Sequence, residues 1–181
     1  MSAQHVTTAA ILIIAMTLSA AAETPRRSKK QESAPPPTPA DKRDRAVNAP
    51  GTPFHGRAYW QAAAQCGGIY FRLNTLYSDA AISAKVIRPD PAAYTRLSKD
   101  ADGASVNATA FFDVSERFLV ADRKVSREDA VVTYDNVAHT AGDRFKSVEA
   151  ALQGAKPCPE LYRVCRGAFP QVCNDAAALT N

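Results

Sequence analysis

Three polar side chains are spaced so that a single helix would carry them on one face. Asp135, His139 and Asp143 follow one another at intervals of four residues, close to one helical turn. Carboxylates beside an imidazole can bind a divalent metal ion or form a carboxylate–imidazole pair. Solvated helix faces that do no chemistry carry charges at the same spacing. These three residues are the candidate metal ligands, and a solvated face is the alternative.

The remaining residue types exclude several kinds of catalytic and cofactor site. Histidine occurs only at His5, His55 and His139, and methionine only at Met1 and Met16. Once the N-terminal segment is removed, the chain has no methionine to ligate haem or copper. We find no glycine-rich phosphate loop and no Cys-x-x-Cys, and no feature marks a serine as a nucleophile. The sequence therefore favours a non-enzymatic protein without a cofactor.

The cysteines predict disulfides. An even number in an exported chain is typical of structural disulfides, and four cysteines allow three pairings. Cys158 and Cys165 would lie about 10 Å apart on a continuous helix, which is beyond disulfide reach. One of the last three cysteines must then pair with Cys66, and two of the three pairings remain open. Of these we favour Cys66 with Cys165 and Cys158 with Cys173, in which the second bond closes the C-terminal loop.

Aromatic residues are concentrated at the start of the first predicted helix, and two of them fall outside its apolar seam. These are Trp60 and Phe71. A short C-terminal helix that carries Leu161 and Phe169 would cover them. Otherwise they form an exposed apolar patch that binds a partner. Trp60 and Phe71 are the candidate partner surface.

The N-terminus is typical of a secretory signal peptide. Residues 6–18 are almost entirely apolar, and as a helix they would rise about 20 Å, short of the roughly 30 Å hydrocarbon core. Small residues follow at 19–22 and satisfy an Ala-x-Ala cleavage rule. No Lys or Arg precedes the apolar run, and an uncleaved anchor is the alternative. We expect residues 1–22 to be removed on export, leaving a periplasmic or secreted protein without a stable membrane span.

Residues 23–52 are expected to form a disordered, proline-rich basic linker. Residues 23–50 hold seven Lys or Arg, four Asp or Glu and six of the 12 prolines. So few apolar side chains cannot offset the entropy of ordering the chain. This stretch carries +3 of the net charge of +4, which leaves the rest near neutral. The folded part therefore lacks the basic surplus of a nucleic-acid-binding protein, while the linker could bind an anionic polymer.

Apolar residues recur at helical steps of three and four along residues 59–87, 94–118 and 131–155. Asp90 and Pro91 predict the start of the second helix, and Ser126 predicts the start of the third after a turn at residues 124–126. The pair Gly67-Gly68 implies close packing or a kink in the first helix. Short connections make neighbouring helices antiparallel. We therefore expect an all-α domain over residues 53–181: an antiparallel, up-down-up bundle of three long amphipathic helices with a short disulfide-stapled C-terminal helix.

These observations predict an exported, non-enzymatic helical module of the cell envelope. Its basic linker acts as a tether, and its partner is an envelope protein or an anionic polymer. The alternative function is a small periplasmic enzyme or metal-binding protein that uses the face formed by Asp135, His139 and Asp143.

Overall fold

The chain is all-helical in the residues that the structure describes. The computed structural model describes residues 54–173, so the predicted signal peptide and linker lie outside it. The helices are α1 (Tyr59–Val86), α2 (Pro91–Ala121), α3 (Arg127–Gly142), α4 (Val148–Ala155), α5 (Cys158–Ala168) and α6 (Pro170–Cys173). The predicted all-α class is confirmed. None of the described helices is long and apolar enough to cross a membrane.

Helices α1 and α2 form an antiparallel hairpin. The Asp90 carboxylate accepts the Ala93 N–H at 2.9 Å and caps α2, as predicted. The Ser115 hydroxyl donates to the Trp60 carbonyl at 3.1 Å, and the Asn74 amide donates to the Ala101 carbonyl at 3.0 Å. These two hydrogen bonds join an early residue of α1 to a late one of α2, and a late residue of α1 to an early one of α2.

The predicted turn between the second and third helices is also present. Lys124 adopts a left-handed conformation with φ of 57°, and the Val125 N–H donates to the Leu119 carbonyl at 3.1 Å. This geometry ends a helix in the way that glycine commonly does. Ser126 then caps α3 by accepting the Asp129 N–H at 3.1 Å.

The predicted third long helix is wrong, because it is two helices separated by residues 143–147. At Gly142 an added Cβ would lie 2.6 Å from the Gly68 carbonyl oxygen, so glycine allows α3 to touch α1 there. The Arg72 guanidinium then holds the Phe145 carbonyl at 2.9 Å. Ser147 starts α4 by accepting the Ala150 N–H at 3.3 Å. A tertiary contact at Gly142, where α3 ends, and another at Phe145, within the break, therefore interrupt a favourable helical seam.

An aromatic cluster joins the C-terminal segment to the hairpin. Tyr59 is 1% exposed, stacks on Phe118 and donates its hydroxyl proton to the Leu161 carbonyl. Phe169 meets both rings edge-on, with centroids 5.6 Å from Tyr59 and 5.1 Å from Phe118. Burial raises the pKa of Tyr59 above its usual value, so the side chain remains neutral and able to donate.

All four cysteines form disulfides, but the favoured pairing is wrong. The structure joins Cys66 to Cys158 and Cys165 to Cys173, with Cα atoms 5.7 and 6.0 Å apart. Helix α5 starts at Cys158, which places this residue beside α1. The chain then reverses at Phe169, and the short α6 returns Cys173 to Cys165.

Candidate functional site

A cleft between α1 and α3 brings together the three candidate metal ligands and one of the two candidate partner-surface residues. Phe71, Asp135, His139 and Asp143 all line it. The cleft exists because α1 and α3 touch at Gly68, where an added Cβ would collide with the carbonyl group of Ala138. The Gly67-Gly68 pair thus marks close packing, one of its two predicted meanings. We call this site the Phe71 cleft; its lining is completed by Gly68, Arg72, Thr75, Phe112, Ala138 and Gly142.

The candidate metal ligands share the cleft but are not assembled as a metal site. His139 Nε2 lies 3.4 Å from Asp135 Oδ1, and both side chains are more than half exposed. Across residues 54–173, no group of three or more His, Cys, Asp or Glu side chains is placed to hold a metal ion. Asp143 therefore shares the cleft with His139 without completing a ligand set.

The fold buries one of the two candidate partner-surface residues and leaves the other exposed. Trp60 is 7% exposed and belongs to the core, so its assignment to a partner surface is wrong. The Arg123 guanidinium lies 5.9 Å from its ring centroid. Phe71 is 50% exposed and meets the His139 ring edge-on at 6.4 Å. Of these two residues, only Phe71 has exposed apolar surface that a partner would contact.

The size of the Phe71 cleft limits what it can hold. Its volume is about 230 Å³, below the range of roughly 300–1,000 Å³ that is typical of small-molecule sites. The cleft is therefore small for a drug-sized ligand and large enough for one side chain of a partner.

A second, larger concavity was not predicted. It lies where the turn before α1 meets the break between α3 and α4, and its volume is about 670 Å³. Three exposed cations line it, namely Arg57, Arg144 and Lys156, and its lining residues include no Asp or Glu. We call this site the basic groove; its other lining residues are Phe54, Gln65, Ile69, Ala141, Phe145, Gln153, Gly154 and Pro157.

The break after α3 shapes the basic groove. The Phe145 ring lies so close to Gly154 that a Cβ there would collide with it. The Phe145 N–H donates to the Gly142 carbonyl at 3.0 Å, and its carbonyl accepts from Arg72. These contacts fix the position of Phe145, and the adjacent Arg144 is exposed and lines the groove.

The floor of the basic groove is apolar. Phe54 and Ile69 line it and are 4% and 6% exposed. The amide side chains of Gln65 and Gln153 lie among the lining residues and can donate or accept hydrogen bonds. An apolar floor with a few polar groups at the rim is the usual composition of a ligand site.

Sequence reasoning missed the basic groove because its parts are far apart in the chain. Two local signals for the break were nevertheless present. Gly142 and Ser147 are typical of a helix end and a helix start, but the apolar seam at Ala141, Phe145 and Val148 ran across them.

No family model, curated protein or solved structure matches this chain. The fold and the two sites therefore define it only as a disulfide-bonded helical domain with a small aromatic cleft and a basic groove.

Proposed function

We propose that this protein is an exported, non-enzymatic binding module of the cell envelope, and that it binds an anionic polymer in the basic groove. The observation that carries the proposal is the position of three cations around one concave surface whose lining residues include no Asp or Glu. Cations that converge on a groove raise the local concentration of an anionic ligand and hold it by ion pairs.

The sequence before the domain adds to this attraction. Residues 23–50 hold seven Lys or Arg and have a net charge of +3, and they precede Phe54, which lines the groove. The same chain therefore carries further cations that attract a polyanion. Attachment at two places on one chain raises the effective concentration for the second contact.

The cysteines and the predicted signal peptide support export. Both disulfides join residues that are fully buried, and such bonds persist mainly in oxidising compartments such as the periplasm or the cell exterior. Location in the envelope would separate the chain from nucleic acid and expose it to anionic cell-surface polymers. N-terminal sequencing of the native protein should find a chain that starts near Glu23.

The enzymatic or metal-binding alternative has less support. It depends on Asp135, His139 and Asp143 acting together, and the described residues contain no assembled metal-ligand group. The same three side chains are exposed and line a cleft the size of one side chain.

Binding of fluorescein-labelled polygalacturonate, followed by anisotropy over a series of salt concentrations, tests the proposal. The variant Arg144→Gln/Lys156→Gln removes two cations from the groove. Each ion pair is worth about 1 kcal/mol when solvated, and side-chain ordering reduces this, so we expect about a tenfold weaker affinity. The dependence of log Kd on log salt concentration should also become less steep.

The matched control is Lys99→Gln/Arg166→Gln, which removes the same charge from exposed positions on α2 and α5 outside the groove lining. Binding by this control should stay close to that of the unmodified chain. If the two double variants lose affinity equally, the attraction is a property of net charge and the proposed groove site is wrong. Circular dichroism of both variants shows whether they keep the helical fold.

A further inference from the structure

The hairpin of α1 and α2 has a largely unburied end. Beyond Leu73 the only buried residue of α1 is Ala81, and the first buried residue of α2 is Ala101. We call residues 82–96, which include the end of α1, the turn and the start of α2, the hairpin tip. The tip is available to an external partner.

The hairpin tip carries a group of exposed large apolar side chains. Ile82, Val86 and Ile87 are 60%, 68% and 72% exposed, and Tyr94 is 36% exposed. Ile82 and Val86 are four residues apart on one face of α1, and Ile82 and Tyr94 line the same shallow depression. Exposed apolar side chains that cluster in this way typically mark an interaction site.

Cations outnumber acidic residues beside this apolar group. Lys85, Arg88 and Arg96 are exposed within the tip, Asp90 is the one acidic residue of the tip, and Asp102 lines the depression that Ile82 and Tyr94 share. The Asp90 carboxylate caps α2 by accepting the Ala93 N–H, so its charge is directed to the helix N-terminus. The Lys85 ammonium lies 5.3 Å from the Tyr94 ring centroid, which places a cation beside the apolar surface.

We infer that the hairpin tip docks on an anionic lipid bilayer, with its apolar side chains in the interfacial region and its cations at the lipid phosphates. Interfacial segments bind membranes by combining buried apolar area with attraction to anionic lipids. Lys and Arg side chains are long enough to reach the phosphates while their stems lie on apolar surface. A second copy of the chain is a poorer partner, because it would bring the same three cations together.

Flotation with vesicles tests this inference on the full chain purified after export. Vesicles of phosphatidylglycerol and phosphatidylcholine should bind the protein, and vesicles of phosphatidylcholine alone should bind it much less. The variant Val86→Ser/Ile87→Ser keeps every charge and should bind at least about tenfold less, because two apolar side chains no longer enter the interface. The matched control is Val131→Ser/Val132→Ser, since these two residues are 40% and 63% exposed on α3, away from the tip.

A fluorescent reporter separates insertion from electrostatic adsorption of the basic linker. In Ile87→Trp, anionic vesicles should shift the emission to shorter wavelength, and brominated lipids should quench it. In Val132→Trp neither effect should occur. The groove variant Arg144→Gln/Lys156→Gln should retain vesicle insertion, so failure of the groove proposal and failure of this one are distinguishable.

Three results would overturn docking on lipid. One is equal binding of Val86→Ser/Ile87→Ser and the unmodified chain to anionic vesicles. Another is an unchanged emission spectrum of Ile87→Trp when vesicles are added. The third is self-association that Val86→Ser/Ile87→Ser abolishes, with no vesicle binding, which would identify a second copy as the partner of the tip.

Discussion

The two disulfides should contribute unequally to stability, because they close loops of very different length. The Cys66–Cys158 bond spans 92 residues and the Cys165–Cys173 bond spans 8. In the chain-entropy description, closing these loops in the unfolded state is worth about 4.6 and about 2.5 kcal/mol. The long-range bond alone is thus comparable to the lower part of the usual range of domain stability, about 5–15 kcal/mol.

The experiment compares Cys66→Ala/Cys158→Ala with Cys165→Ala/Cys173→Ala. Urea unfolding should give a free-energy loss about 2 kcal/mol larger for the first variant than for the second. Native-state hydrogen exchange should rise throughout α5 when the long-range bond is absent. It should rise mainly in α6 when the short-range bond is absent, because the contacts of α5 with α1 remain.

Two results would refute this reasoning. If the two variants lose equal stability, loop length does not set the contribution of these bonds. Tryptic peptide mapping tests the pairing itself, because cleavage after Arg163 and Arg166 separates the three C-terminal cysteines. A peptide that links Cys66 to Cys165 would contradict the structure and restore the pairing favoured by the sequence.

Four further predictions follow from single sites. Lys124→Gly should raise the free energy of unfolding by about 1 kcal/mol, because glycine adopts the left-handed conformation without strain. The urea midpoint should rise accordingly, and a lower midpoint would contradict this. Gly68→Ala should lower the free energy of unfolding by about 2–3 kcal/mol, because the added Cβ overpacks α1 against α3. The control is Gly167→Ala, whose Cβ meets nothing within 4 Å, and thermal melts should show no loss of stability for this variant. Calorimetric titration with Zn²⁺ should show no tight stoichiometric binding; tight binding that His139→Ala abolishes would restore the metal-binding alternative. The free energy of unfolding should fall as pH rises above 10.0, the usual pKa of tyrosine, because only the unfolded state then releases the Tyr59 proton. Tyr59→Phe should reduce this fall. An equal fall in the variant would show that Tyr59 does not cause it.

Helix identity and most helix ends could be predicted from the sequence because they depend on neighbours in the chain. Asp90 and Ser126 cap helices with their own side chains, and apolar steps of three and four identify a buried helix face wherever that face packs. The all-α class follows from these local patterns. So does the turn near Lys124, where the seam of α2 could not continue.

The break after Gly142 depends on another helix. It requires the backbone of α1 at Gly68 and the guanidinium of Arg72, which are about 70 residues away in sequence. An apolar seam that continues across the break carries no information about these contacts. The basic groove could not be predicted for the same reason, because Arg57, Arg144 and Lys156 meet only once the break has formed.

The sequence by itself determined which residues are chemically able to act, and the tertiary structure decided which of them meet and which remain accessible. Four cysteines predicted two disulfides, but the pairing depends on where α5 starts and on the return of α6. Trp60 and Phe71 are both large aromatic residues outside one seam, yet one is 7% exposed and the other 50%. Burial depends on the elements that pack around a helix, and the periodicity of one helix describes only the helix itself.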